Sequence, residues 1–187
     1  QHRSLHRDLD IVLINSKDNQ KTHKLLPFGN LREQISGLER ADLIIYTKTN
    51  LHNNIGYLNR LLKDVDIEKI NSMLETKSML IGKDKQEIDK ADLKSKNIYL
   101  LSAIGDNRGF KKTVEKISAN IVGHSKFIDH FKFKISDLQK VESDAKKFSA
   151  NYIITTEKDL VKIPDINLEI PIYALQTKMH FSTANKL

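Results

Sequence analysis

The stretch Asn151–Lys162, NYIITTEKDLVK, constrains the fold more than any other part of the chain. Tyr152, Ile153 and Ile154 make a short apolar run, which suits a buried strand and is too short for a buried helix. Thr155, Thr156, Glu157, Lys158 and Asp159 follow at once, and Leu160, Val161 and Ile163 then resume the apolar pattern. A strand that passes directly into hydroxyls, acids and a lysine is how open α/β sheets build ligand sites, outside the carboxyl ends of their strands. Thr156 is also a good helix N-cap with Asp159 at the capping-box position. The residues therefore fit capping alone, or capping together with ligand contact.

The same theme recurs along the chain. Asp10–Ile14 (DIVLI), Ala41–Thr47 (ADLIIYT), Asn97–Ile104 (NIYLLSAI) and Ile170–Leu175 (IPIYAL) are solid apolar runs, as in parallel strands covered on both faces. Between them, apolar spacing predicts helices over Leu31–Arg40, Asn54–Val65, Asp66–Glu75 and Phe110–Ile121, and another from Ser136 to Ser149. Lys77–Gly82 reads as a short strand, and His124–Phe133 as an extended segment with interleaved aromatics. Strand, helix, strand is a right-handed βαβ unit, and the class is α/β. The polar, lysine-rich stretch Lys83–Lys96 reads as a linker or exposed excursion between residues 1–82 and 97–187.

Composition narrows the function classes. The 187 residues suffice for one domain or two small ones. The absence of cysteine excludes disulfides and cysteine-ligated zinc. No apolar run approaches the roughly 20 residues that cross a bilayer, and no signal peptide is visible. A net charge of +7 favours anionic partners without choosing among nucleic acid, phosphates and an acidic membrane surface. The chain opens at Gln1 with strand residues soon after, which suggests a segment of a longer protein.

No G-x-x-x-x-G-K-[ST], G-x-G-x-x-G, G-x-S-x-G or H-E-x-x-H occurs. Polar clusters at predicted strand ends remain: Arg7/Asp8, Asp42, Gly105–Asn107, Asp129-His130 and Thr155–Asp159. In Asp129-His130 an acid adjoins a titratable ring flanked by Phe127, Ile128, Phe131 and Phe133. The acid can hold the tautomer or raise the pKa of the ring. Such a histidine serves as a general base, orients another group, or is simply a hydrogen-bonded structural residue. His124 and His180 carry weaker cases, and His2 and His6 sit in a basic lead-in.

In order, the chain carries QHRSLHRDLDIVLIN, LLPFGNLRE, ERADLII, AIGDNRGF, FIDHF and ITTEKDLVKI. This set resembles tetraacyldisaccharide 4′-kinase, the lipid A 4′-kinase of Gram-negative bacteria, from Gln1 to about Lys162. The resemblance implies part of a P-loop kinase-type parallel-sheet domain, followed by a smaller α/β domain joined by a strand linker. It implies transfer of the ATP γ-phosphate, with Mg²⁺, to the 4′-hydroxyl of a tetraacylated disaccharide phosphate, a lipid A precursor, at the cytoplasmic face of the inner membrane. The partners so implied are that glycolipid and the membrane surface, and no nucleic acid.

Residue roles follow from the same likeness. Gln1, His2 and Arg3 match the tail of the family's D-D-G-F-Q-H-R, whose catalytic aspartate lies ahead of Gln1, and they are expected to contact substrate. Arg32, within G-x-L-R-E with Gly29, Leu31 and Glu33, is a further substrate contact. Asp129-His130 matches the family's D-H-H, so His130 is the expected catalytic partner of that aspartate; the second histidine is Phe131. Asp42 is the candidate Mg²⁺ ligand. Gly105, Thr156, Glu157, Lys158 and Asp159 are expected on the nucleotide side of the interdomain cleft. The phosphate-binding loop lies outside this chain, so the segment alone is expected to be inactive. The alternative is a non-catalytic basic α/β module that holds an anion such as nucleic acid; no reading motif supports it, and few aromatics are placed to stack bases.

Overall fold

A computed structural model describes residues 6–117 and 120–182. The fold is α/β, with a mostly parallel sheet. The chain divides into two compact units, one holding residues up to Leu74 and from Met179 onward, the other Glu75–Lys178.

In the first unit β1 (Ile11–Asn15) runs parallel to β2 (Leu43–Thr47), with Val12 opposite Ile44 and Ile14 opposite Tyr46. β2 in turn runs parallel to the start of β3 (Lys69–Gly82), with Ile45 opposite Ile70. Helix α1 (Ile55–Leu61) sets Leu58 into a core with Ile44, Tyr46, Leu62 and Val65. β1 ends the strand order, and its Ile11 and Leu13 are exposed, so the two-faced burial expected of DIVLI is not met among the described residues.

Two sequence expectations fail in this unit. The predicted helix Leu31–Arg40 is only a 3-10 turn, Ile35–Arg40, with no buried residue. Arg40 bonds Glu33 at 2.6 Å across Gly37, where a Cβ would come within 2.8 Å of Glu33 Oε2. The predicted helix Asp66–Glu75 contains the beginning of β3 instead. Its apolar spacing is helical, but the backbone bonds go elsewhere: Asn71 pairs with Tyr46, and the Asn50 amide brackets Leu74, donating to its carbonyl at 2.9 Å and accepting from its N–H at 3.0 Å. Tertiary pairing overrides local period here.

In the second unit β4 (Glu87–Asp89) pairs antiparallel with β3. β5 (Asn97–Ser102) lies between β6 (Asn120–Lys126) and β7 (Tyr152–Thr156), parallel to both, and β8 (Ile172–Ser182) runs parallel beyond β7. Alternation along β5 and β7 fills both faces. Ile98, Leu100 and Ile154 meet Phe110 and Val114 of α2 (Asn107–Glu115), whereas Leu101 and Ile153 meet Leu138, Val141 and Ala145 of α3 (Ile135–Lys147). That is why these strands read as unbroken apolar runs. Each such side chain contributes about 2 kcal/mol by burial. A fourth helix, α4 (Glu157–Leu160), starts directly at the tip of β7.

The stretch Lys83–Lys96 is mostly exposed, as its composition suggests, but it is not without structure. It holds β4 and a 3-10 turn, Lys90–Leu93, whose start is capped by the Asp89 carboxylate and whose Leu93 is fully buried beside Ile98 and Leu100. The division between units falls within β3, after Leu74, rather than in this stretch.

Candidate functional site

The carboxyl ends of β5, β6 and β7 open together in the second unit. β6 leaves its strand at Lys126, and Phe127 N–H donates to Ser102 O at the tip of β5 (2.9 Å). Phe127, Phe131 and Phe133 then pack on one another with ring centroids 4.5–5.5 Å apart. This anchor supports a tight turn in which Phe131 N–H donates to Ile128 O at 3.2 Å. His130 sits at the turn with φ 63°, a left-handed conformation uncommon for residues other than glycine. Its side chain is 78% exposed.

Asp129 organises this turn. Its Oδ1 accepts the His130 N–H at 2.9 Å and the Lys158 Nζ at 2.9 Å, and its Oδ2 lies 3.8 Å from His130 Nε2. A Cβ on Gly105 would stand 3.6 Å from Asp129 Oδ2, so the β5–α2 loop borders the same carboxylate. The hydrogen bond from Lys158, together with its charge and the His130 N–H, holds the Asp129 carboxyl below the usual carboxylate range. Gly105, Asp129, His130 and Lys158 are thus brought together.

The other residues of T-E-K-D do different work. Thr156 caps α4, its Oγ1 accepting from Asp159 N at 3.1 Å and donating to Asp159 Oδ2 at 2.9 Å. Asp159 is fully buried; its Oδ2 also accepts Ala103 N–H at 2.8 Å, and its Oδ1 accepts Lys162 Nζ at 2.9 Å. This carboxylate ties the tip of β5 to the start of α4. Glu157 Oε2 accepts Thr177 N–H of β8 at 3.2 Å. Lys158 is the member that reaches the Asp129 turn.

Arg32 and Asp42 belong to the first unit. Arg32 is exposed on the wall of a cavity of about 480 Å³ also lined by Arg7, Arg40 and His23. Arg7 is paired with Asp10 at 3.0 Å, and His23 stacks on Tyr57 at 5.6 Å. Asp42 precedes β2, at the amino end of the strand, and its Oδ2 accepts the Asp10 N–H at 2.7 Å. Gln1, His2 and Arg3 lie outside the described residues.

The family model of Tetraacyldisaccharide-1-P 4′-kinase matches residues 1–187. The chain belongs to this family. It is 34% identical over 166 residues to the tetraacyldisaccharide 4′-kinase of Bdellovibrio bacteriovorus, covering 87% of this chain and 48% of that protein. It is 29% identical over 186 residues to the namesake from Desulfotalea psychrophila, covering 98% of this chain and 53% of that protein. The crystal structure of LpxK from Aquifex aeolicus in complex with ATP matches with a TM-score of 0.65 at 26% identity, over 97% of this chain and 51% of that one. The chain spans about half the length of the curated relatives it matches.

Mg²⁺ at phosphoryl-transfer sites is held by one or two carboxylates together with waters and substrate phosphates. In Asp42, the candidate ligand, Oδ2 accepts the Asp10 N–H. Among the described residues no group of three His, Cys, Asp or Glu side chains could hold a metal ion by itself.

One polar network at the strand tips escapes sequence reasoning. Ser102 Oγ donates to Asn107 Oδ1 at 2.5 Å and so receives the Nε2–H of His124 at 2.7 Å. Burial first, then Lys126 and Lys111, pushes the His124 pKa down to about 4, and Phe110 meets the ring edge-on. The network pins the end of β5 to the first residue of α2. The only signal in the sequence is a histidine placed in a strand, and its partners are remote.

Proposed function

We infer that this chain supplies the acceptor-side machinery of a lipid A 4′-kinase, which phosphorylates the 4′-hydroxyl of a tetraacyldisaccharide 1-phosphate with ATP as donor. Membership of the family supports the reaction class. The observation that carries the residue assignment is the exposed His130, presented on a turn whose Asp129 is held ionised by Lys158. A histidine so displayed can hold the proton of an incoming sugar hydroxyl. Lys158 and Gly105 border this turn and are the proposed contacts to the nucleotide side; Asp159, Thr156 and Glu157 act by fixing the loops around them. Gln1, His2, Arg3 and Arg32 are the proposed substrate contacts.

The chain contains no phosphate-binding loop. On this reading the P-loop and the catalytic aspartate reside elsewhere in the full-length protein, in a P-loop kinase-type domain of which the first unit is part. The reading also places the protein at the cytoplasmic face of the inner membrane; among the described residues no helix is long and apolar enough to cross a membrane. This chain expressed alone should not transfer phosphate, because the donor's charge would go unmet. No observation favours the nucleic-acid alternative.

The test is transfer of labelled γ-phosphate from ATP by the full-length protein to tetraacyldisaccharide 1-phosphate and to its 4′-deoxy analogue. Label in the first and none in the second is expected. Equal labelling of both would remove the 4′-hydroxyl as acceptor.

A further inference from the structure

The segments that carry Gly105, His130 and Lys158 all meet at the tip of β5. Ser102 is fully buried there, and its carbonyl accepts the Phe127 N–H that leads into the turn. Its hydroxyl bonds both Asn107, the first residue of α2, and His124 of β6. The next residue, Ala103, donates to Asp159, the carboxylate that fixes α4 and with it Lys158.

β6 reaches this tip with its register shifted. Ile121 lies opposite Ile98, but Gly123 rather than Val122 lies opposite Tyr99, so β6 holds one residue more than β5. Gly123 permits the shift, because a Cβ there would overlap the Tyr99 ring. Every side chain after such a shift changes face. His124 comes to lie opposite Leu100, on the α2 side, with Nε2 at 2.7 Å from the Ser102 hydroxyl. In the unshifted register His124 would stand opposite Leu101, on the α3 side, and the turn would begin one residue away.

We propose that Ser102 is a positioning residue for His130, and that the extra residue in β6 serves to bring the Asp129-His130 turn into register with it. The Ser102 hydroxyl clamps the end of β6 to the start of α2. The turn then leaves from a fixed point, where Asp129 meets Lys158 of α4 and borders Gly105 of the β5–α2 loop. Ser102 is buried and touches no substrate; it acts through His124 and Asn107. A bulge beside a working group is a recurrent way to aim a side chain, and a misplacement of about 1 Å can cost roughly 100-fold in rate. The proposal rests on the reading of His130 given above.

The experiment uses full-length protein with isotope-labelled aspartate and follows the titration of the Asp129 carboxyl carbon by NMR. The bond from Lys158 holds this carboxyl below the usual carboxylate range, with His130 as its other neighbour. In Ser102→Ala the turn drifts and that bond is lost, so the midpoint should rise toward the ordinary value, as it should in Lys158→Met. Turnover should fall by roughly 10- to 100-fold. Ser125→Ala is the control: its hydroxyl meets Tyr99 at 3.0 Å on the other face of the same strand, so both readings should stay unchanged. If Ser102→Ala does not fold, Asn107→Leu breaks the same bond from the helix side and is read in the same way. An unmoved midpoint, unmoved turnover in an active parent, or equal changes in Ser125→Ala overturns the proposal. If the midpoint moves in Ser102→Ala alone but the parent protein phosphorylates no glycolipid, the positioning of the turn stands and the kinase reading falls.

Discussion

Two aspartates of the second unit each meet a lysine at 2.9 Å, yet the two turns they control are built for opposite purposes. Asp159, at the start of α4, has no exposed surface, and both of its oxygens are bonded inside the protein. Asp129, at the exit of β6, and its partner Lys158 are each more than two-fifths exposed. A buried carboxylate cannot lose a partner without leaving a charge in low dielectric, so its pair is rigid. An exposed pair is screened by water and salt, so it contributes little to stability and leaves its charge available to a ligand. Distance alone does not separate a frame from a working group; burial does.

The largest expected effect falls on the frame. Asp159→Ala strands the Ala103 N–H and the Lys162 ammonium, and should cost about 3 kcal/mol in urea unfolding. A loss below about 1 kcal/mol would show that the buried pair is not the frame it resembles.

The next effect concerns acid sensitivity. His124 is neutral when folded down to about pH 4, whereas its ordinary value is 6.5. As pH falls from 6.5 towards 4 the unfolded chain takes up a proton that the folded chain refuses, so stability drops across that window. Thermal melting should show this drop, and His124→Gln, which keeps a donor for Ser102 but does not titrate, should flatten it. An equal slope in the variant would assign the acid sensitivity to other groups.

The smallest effect on the fold should come from the exposed pair. Lys158→Met removes the bond that lowers the Asp129 pKa, so the acid limb of the pH–rate profile should move to higher pH while the melting temperature stays put. A large fall in melting temperature would erase the contrast between the two turns.

Much of the second unit is legible in the sequence because both faces of β5 and β7 are covered, which forces unbroken apolar runs. The Thr156 cap is legible because it is local, three residues from its partner. The bond from Ala103 to Asp159 and the pairing of Lys158 with Asp129 are not, since 56 and 29 residues of chain separate the partners. β3 is the clearest miss. Ile67, Ile70 and Leu74 fall at helical spacing, yet the segment pairs with β2, and nothing in a local window records that partner. The polar composition of Lys83–Lys96 reveals an exposed excursion but not its anchor, because one buried Leu93 holds it to the core. The acid–histidine pair itself is visible, but its exposure and left-handed turn come only from the structure.

The central claim is that His130 works chemically and bears no load in the fold. The direct measurement is 4′-phosphorylation by full-length His130→Asn, with melting followed alongside. Asparagine tolerates the left-handed backbone at this position and cannot carry the proton. The account predicts a fall in turnover of about 100-fold or more with an unchanged melting temperature. Turnover equal to that of the parent protein would contradict it.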